Sequence, residues 1–317
     1  MTNPLYLRKY RVLVVDKNNN ALDVSDLRCT FMIEKKALQA VNYADITIYN
    51  LTGPTEQAII KEGQRVIVEA GYQDGAYGVI FDGDIFQPLW DRENVVDYKL
   101  TLHCISGDSF LKQNFIAFSK NAGYDYMEII KDISVRARTP IPLGHITSNL
   151  DSNPSPRGKV IFGNAKDHLR NIARGNNAQM FADDGKLHIT KITDVPQGQA
   201  LVLSPQTGLV GTPQQIDYGF SFRCLINPTI TIVNPSMMVK IDNSLLRQKK
   251  AIIGQIVSMI DQDMVGLVIG ITTVGDTRGQ EWYQDVVCLT RGGKVPLQLA
   301  AADFFPEMIV NQMENPN

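Results

Sequence analysis

Apolar and polar positions alternate with period two across Tyr10 to Ser106, in short runs of β-branched and aromatic residues that end at Gly, Asn or Asp. In Leu27-Arg28-Cys29-Thr30-Phe31-Met32-Ile33-Glu34 the odd positions are apolar and most even ones polar, which predicts a strand with one face on a core. Ala44 to Asn50 alternates again, with the even positions inward. Arg65 to Tyr72, Gly78 to Gln87 and Val96 to Ser106 complete an antiparallel sheet, and Gln73-Asp74-Gly75 supplies turn chemistry between the first two. Thr52-Gly53, the segment Pro54 to Lys61 and then Gly63 give the start, body and stop of a short helix, expected to plug the end of a barrel.

After Gly107 the period changes. Tyr126, Met127, Ile130, Ile133 and Val135 recur at helical spacing, and Asn164 to Arg174 predicts a second helix with Gly175 as its stop. Thr139 to Gly158, with prolines at 140, 142, 154 and 156 and no periodicity, reads as a loop that orders against a partner. Met180-Phe181-Ala182 and Leu187-His188-Ile189 flank Asp183-Asp184-Gly185, a hairpin signal. Alternation returns in Phe220 to Leu225, Thr229 to Val233, Met238 to Asp242, Val265 to Val274 and Trp282 to Leu289. The chain therefore reads as mainly β with a mixed α/β insertion. The expected parts are 1–108 (first β domain), 109–199 (α+β middle domain), 200–293 (second β domain) and 294–317 (C-terminal arm or tail). Asp97 to Cys104 and Trp282 to Cys288 resemble each other, each a Tyr-containing strand ending at a Cys, although any two amphipathic strands share as much. Leu297, Leu299, Phe304, Phe305, Met308 and Ile309 make the last part an apolar segment, suited to packing on a neighbour or on its own domain.

A length of 317 residues, 44% of them hydrophobic, suffices for more than one core. Thirty-one basic against 33 acidic residues give a formal charge of −2, so the cationic face that phosphate neutralisation requires is not evident and sequence-specific nucleic-acid binding is disfavoured. Arg8, Lys9 and Arg11 follow the N-terminus without an apolar leader run, so no signal peptide is expected. The greasiest stretch, Met264 to Val274, falls short of the roughly 20 apolar residues of a spanning helix. Cys29, Cys104, Cys224 and Cys288 lie far apart in apolar strand-like runs, the pattern of buried thiols in a chain made in a reducing cytoplasm.

Catalytic and metal-binding patterns are sparse. His103, His145, His168 and His188 make no metal-spaced pair, and neither a phosphate loop nor a Gly-x-Ser-x-Gly elbow is present. Asp82-Gly83-Asp84 places two carboxylates on one strand face, which a divalent cation or a sugar-nucleotide enzyme could use, but no further ligands follow at calcium-loop spacing. Asp261-Gln262-Asp263 and Gly275 to Gly279 read as turns. Glu69 with Tyr72, or Glu281 with Trp282, could serve a glycosidase, which needs only two carboxylates close in space. No catalytic, cofactor-binding or metal-ligating residue is assigned, and no cofactor is expected.

The succession Phe31-Met32-Ile33-Glu34, Ala44 to Thr52, Val68-Glu69-Ala70-Gly71-Tyr72 and Ile80-Phe81-Asp82-Gly83-Asp84-Ile85 resembles the first domain of baseplate hub proteins of contractile-tailed phages. Cys224-Leu225-Ile226-Asn227-Pro228 followed by Gly275 to Tyr283 resembles the last barrel of the same family. The likeness covers about half the chain and lies in the order and spacing of these segments. It implies two tail-tube-like antiparallel β-barrels flanking the middle part and a homotrimer presenting six barrels. Such a ring would adapt the six-fold tail tube above to the three-fold spike or central tip protein below. Its central channel would admit DNA and a tape-measure protein, with neutral or acidic hairpins at Asp74, Asp82 and Asp84 facing the lumen. The implied role is structural and non-enzymatic, in the virion. The competing readings are a tail-associated cell-wall-degrading enzyme, a host-sugar adhesin and the hub of a bacterial contractile injection system.

Overall fold

Strand pairing separates the chain into one long sheet and a smaller mixed part that carries two short sheets. The computed structural model describes residues 5, 7–37, 41–148, 150, 154–191, 200–216, 219–233, 237–241 and 264–290. The first part contains β1 (Arg8–Asp16), β2 (Ala21–Asp23), β3 (Cys29–Lys36), β4 (Tyr43–Tyr49), α1 (Gly53–Glu62), β5 (Gly63–Tyr72), β6 (Tyr77–Arg92) and β7 (Tyr98–Ile105). The middle part follows with α2 (Asp108–Gln113), β8 (Phe115–Lys120), α3 (Tyr126–Arg136), β9 (Leu143–Ile146), β10 (Lys159–Asn164), α4 (Ala165–Gly175), β11 (Gln179–Asp183) and β12 (Lys186–Thr190). Then come β13 (Leu201–Leu203), β14 (Leu209–Ile216), β15 (Gly219–Leu225), β16 (Met238–Ile241), β17 (Val265–Asp276) and β18 (Trp282–Thr290).

Periodicity becomes burial as expected in β3 and β4, where Cys29, Phe31, Ile33, Ala44, Ile46 and Ile48 enter the core. Helix α1 starts on Pro54 in its first turn, carries Glu56 near its positive end and Lys61 near its negative one, and stops at Gly63. Asp125 caps α3 by accepting from the Glu128 N–H, and Asn164 caps α4 by accepting from the Lys166 N–H. Three assignments change. Val135 points to water while Ile129 takes the inward place beside Ile130 and Ile133, because position 135 falls off the 3.6-residue stripe. The proline-rich loop contains β9, which pairs in parallel with β12. Thr229 to Val233 is not a strand: the Asn227 carboxamide accepts from both the backbone N–H and the hydroxyl of Thr229 and turns the chain, while Ile230 and Ile232 are still buried.

The long sheet runs β14-β15-β18-β17-β3-β4-β7-β6-β5-β1-β2, with β16 on β17 and β13 on β16. Two blocks within it have the same order. If the strands of each block are lettered a to d along the chain, β3-β4-β7-β6 and β14-β15-β18-β17 both run a-b-d-c in space. In both, the first stretch of strand c pairs with the preceding strand, β5 on β6 and β16 on β17. In both, the c–d ladder shifts register at the handover, between Ile85 and Gln87 and between Val268 and Gly270. Cys104 pairs with Ile85, and Cys288 with Val268, on the strand just before that shift. The resemblance between the Asp97–Cys104 and Trp282–Cys288 segments thus falls on equivalent strands.

The expected pair of closed barrels is corrected here. The far stretch of β17 pairs with β3, Gly270 to Asp276 against Lys36 to Thr30. An edge used in that way cannot close its own block, so the two blocks fuse into one open sheet among the described residues. One core lies under the first block, with Phe31, Val68, Phe81 and Leu102. A second, with Phe220, Phe222, Val268 and Val286, lies under the other. A third, with Phe110, Ile130, Leu169 and Leu187, fills the middle part. The Val295–Val310 segment lies outside the described residues.

Candidate functional site

Of the carboxylates singled out from the sequence, Asp82, Asp84 and Glu69 are each held by a structural partner. Asp82 is buried and engages the Arg65 guanidinium through both oxygens. Asp84 accepts from the Ser109 N–H at 2.8 Å, at the start of α2. Asp74, by contrast, is exposed at the β5–β6 turn. Glu69 accepts from the Tyr77 hydroxyl at 2.6 Å. Tyr72 and Trp282 are core residues, the Trp282 ring lying edge-on to Tyr10 and Phe31, while Glu281 is exposed.

The histidines are dispersed as well. His103 pairs with Asp45 at 2.6 Å and His168 with the Phe162 carbonyl at 3.1 Å. His188 is stacked on Phe181 and accepts from the His145 N–H through Nδ1, and its burial lowers its pKa to about 4, so it is neutral at physiological pH. All four cysteines are buried and free. Burial pushes the Cys29 and Cys224 thiols up to about 12 and raises those of Cys104 and Cys288 strongly. Among the described residues no group of three His, Cys, Asp or Glu is placed to hold a metal ion.

Instead, the structure brings together a charged joint between the first β part and the middle part. Lys35 sits at an inward position of β3, buried, with its ammonium 3.0 Å from Asp183 Oδ1 and 2.6 and 2.7 Å from the two oxygens of Asp184. Asn42, fully buried, accepts from the Lys36 N–H and donates to Asp183 Oδ1 at 2.9 Å and to the Ala182 carbonyl. The turn that presents the two aspartates takes positive φ at Asp184 (45°) and Gly185 (69°), the geometry a two-residue hairpin needs. Gly185 lies so close to the Arg65–Asp82 pair that an added Cβ would stand 3.2 Å from Asp82 Oδ2. Two cations thus face three carboxylates.

The electrostatics follow from that imbalance. Burial raises the Asp184 pKa, against the pull of Lys35 and with the push of Asp183, to about 6. Burial would lower Lys35, but Asp183 and Asp184 overcome it and hold the ammonium up at about 12. The amphipathic pattern gave no sign of this cluster: Asp183 and Asp184 read only as turn residues, and Lys35 lay just past the alternating run that ends at Glu34.

On the side of the sheet away from the cores, charged and polar groups meet in pairs. Arg223 grips Asp285 through two nitrogens at 2.7 and 2.8 Å, Lys36 meets Glu34 at 3.0 Å, and His103 meets Asp45. Thr47 and Thr101 hydrogen-bond between the pairs at 3.0 Å. This face crosses the β17–β3 seam without a break, since Arg223, Asp285, Thr272, Glu34 and Tyr43 are successive cross-strand neighbours.

This fold is similar to those of phage tail proteins and of a type VI secretion component. A tail protein from Neisseria meningitidis aligns with a TM-score of 0.54 at 13% identity, over 91% of this chain and 98% of that one. The 43 kDa tail protein of prophage MuSo2 from Shewanella oneidensis gives 0.53 at 10% identity, over 89% and 98%. An E. coli type VI secretion component, described as similar in structure to the T4 tail proteins gp27 and gp5, gives 0.52 at 11% identity, over 91% and 79%. No relative is found among curated protein sequences. A sequence profile of the family "Baseplate hub gp41" matches residues 11–246, and the chain belongs to that family. It is a structural baseplate hub protein of a phage tail, and so a component of the virion. Among the described residues no helix is long and apolar enough to cross a membrane.

Proposed function

We propose that three copies form a ring that adapts the six-fold tail tube to the three-fold spike and encloses a channel for DNA. The observation that carries this reading is the duplicated a-b-d-c block within one chain: three chains then offer six equivalent blocks. The tube protein lies above, the spike or tip protein below, and the tape-measure protein and DNA pass within. The paired charges on the outward sheet face support a channel that admits a polyanion without holding it. The role is geometric and not catalytic, in keeping with the structural partners that hold Asp82, Asp84 and Glu69. The parts 1–108, 109–199 and 200–293 serve as first tube-like unit, middle unit and second tube-like unit. The same architecture would serve the hub of a bacterial contractile injection system.

Light scattering and image averages of the purified full chain, alone and with its tube and spike proteins, test this. Threefold particles with six-fold-like features on one end are expected. A monomer under every one of these conditions, or clearing of host cell wall by the purified protein, overturns it.

A further inference from the structure

The middle part leaves one sheet face bare. Among the described residues β8 and β10 pair only with each other, antiparallel, with Phe162 opposite Ala117 and Val160 opposite Ser119. Alternation sends Ile116 and Ile161 into the core of the middle part and Phe115, Ala117, Val160 and Phe162 to the opposite side. There Phe115 is 61%, Phe162 69% and Val160 76% exposed, and the Phe115 and Phe162 rings meet edge-on with their centroids 4.9 Å apart. A ribbon of two strands is marginal by itself in water, and covering its apolar outer face would stabilise it.

The rim of this face carries one sign of charge. Residues 112–120 and 157–166, which hold the two strands, contain Lys112, Lys120, Arg157, Lys159 and Lys166 and no Asp or Glu. Asp108 answers Lys112 and Asp132 answers Lys120, which leaves Arg157, Lys159 and Lys166 without a carboxylate partner among the described residues. A fitting occupant is therefore both apolar and acidic. Residues 295–317, which lie outside the described residues, have that composition: Leu297, Leu299, Phe304, Phe305, Met308 and Ile309 accompany Asp303, Glu307 and Glu314, with no Lys or Arg.

The place where the chain leaves the sheet also fits. Strand β18 ends at Thr290, two positions past Cys288, the partner of Val268. Beside Val268, the Ala37 N–H donates to the Ile269 carbonyl, just after Lys35 and Lys36 on β3. The chain thus departs at the end of the sheet where Lys35 meets Asp183 and Asp184 of the middle part. Helix α2 starts at the same joint, with Gly107 packed against Ala182, and its six residues, about 9 Å of helix, lead to Phe115. From Thr290 to Phe304 an extended chain spans up to ~46 Å, ample for that distance.

We propose that residues 295–310 lie across the outer face of the β8–β10 ribbon of their own chain. Their apolar side chains cover Phe115, Val160 and Phe162, and Asp303 and Glu307 stand beside the cationic rim. The contact fastens the middle part from its far side, and it is independent of the ring proposed above.

The test puts p-benzoylphenylalanine in place of Phe162, an aromatic for an exposed aromatic, in the full-length protein, which is then irradiated while particle mass is measured in parallel. A cross-linked single chain is expected, with the link mapped by mass spectrometry to residues 295–310. Adding Asp303→Lys and Glu307→Lys should cut that yield several-fold at low salt and less at high salt; an undiminished yield overturns the placement beside the cationic rim. A covalent dimer linked through residues 295–310 would mean that the segment crosses to a neighbour. One linked through residues 115–120 or 157–164 would mean that two ribbons meet. Either result overturns the inference, as does irradiation that yields no link at all, the mark of a face open to water. The particle mass of the same sample reports on the ring separately.

Discussion

Lys35 shows how one side chain can decide the placement of a whole part. It lies on the inward face of an amphipathic strand, where a lysine survives only with partners, and those partners are 149 residues away in sequence for Asp184. Lys35→Met leaves the buried Asp183 and the half-buried Asp184 side by side with no ammonium. The expected loss is about 3–5 kcal/mol in denaturant unfolding, narrowing on acidification as the orphaned carboxylates take up protons. Asp184→Asn should act in the opposite direction. Because the folded protein raises the Asp184 pKa to about 6, its protonated form is favoured by folding; this group's contribution is greatest below about pH 4, falls as pH rises to 6 and is flat above. Asparagine keeps the positive φ of the turn and removes that fall, so the variant is expected to exceed the parent by ~1 kcal/mol at pH 7.5 and to converge with it near pH 4. Thermal melts across that range check it; a variant less stable at pH 7.5 would show that the second carboxylate is needed to hold Lys35. None of this could be read from the chain itself, since alternation marks which face is inward but not what a charged residue on that face will meet.

Individual strands and helices were legible because each has its own period. Helices α3 and α4 of the middle part, the Asp183-Asp184-Gly185 hairpin and the alternating runs that became β3, β4, β7, β15, β17 and β18 all stand where the pattern put them. What stayed hidden is how elements meet: β9 is too short to show a period within four prolines, and an edge strand reads the same whether it closes its own block or joins another. The β17–β3 seam depends on one glycine. Gly275 faces Phe31 across the ladder, and a Cβ there would lie 2.2 Å from the Phe31 ring. Gly275→Val should therefore force the ring off the seam, at a cost of about 1–3 kcal/mol for overpacking. Hydrogen exchange is expected to accelerate selectively in β3 and β17, with β11 and β12 unchanged. Uniform acceleration throughout the chain would mean that the blocks do not unfold as neighbours along a seam but as one unit.

At the scale of the whole molecule the question is how a surface stays inert towards a polymer that carries one negative charge about every 1.7 Å. Net charge alone gives no answer, because −2 over 317 residues is compatible with a strongly cationic face on one side. The outward sheet face answers it locally: Arg223, Lys36 and His103 each have a carboxylate within hydrogen-bonding distance, on the same or an adjacent strand, so a phosphate would have to displace a partner that is already in place. Exposed pairs of this kind add little to stability, about 0–1 kcal/mol each, and removing the acid members should leave the fold intact. The variant Glu34→Gln/Asp45→Asn/Asp285→Asn frees two cations, Lys36 and Arg223, and the His103 ring on one face. It is expected to gain binding to a short DNA duplex by fluorescence anisotropy at low salt, with log K falling against log salt at a slope of about −2 to −3. The parent should show no such slope. A matched control, Asp23→Asn, frees Arg11 on β1 away from the seam and should add at most one unit. If the parent already binds duplex DNA with a steep salt dependence, the face is adhesive, and the passage of DNA through the hub needs a different explanation from cancelled charge.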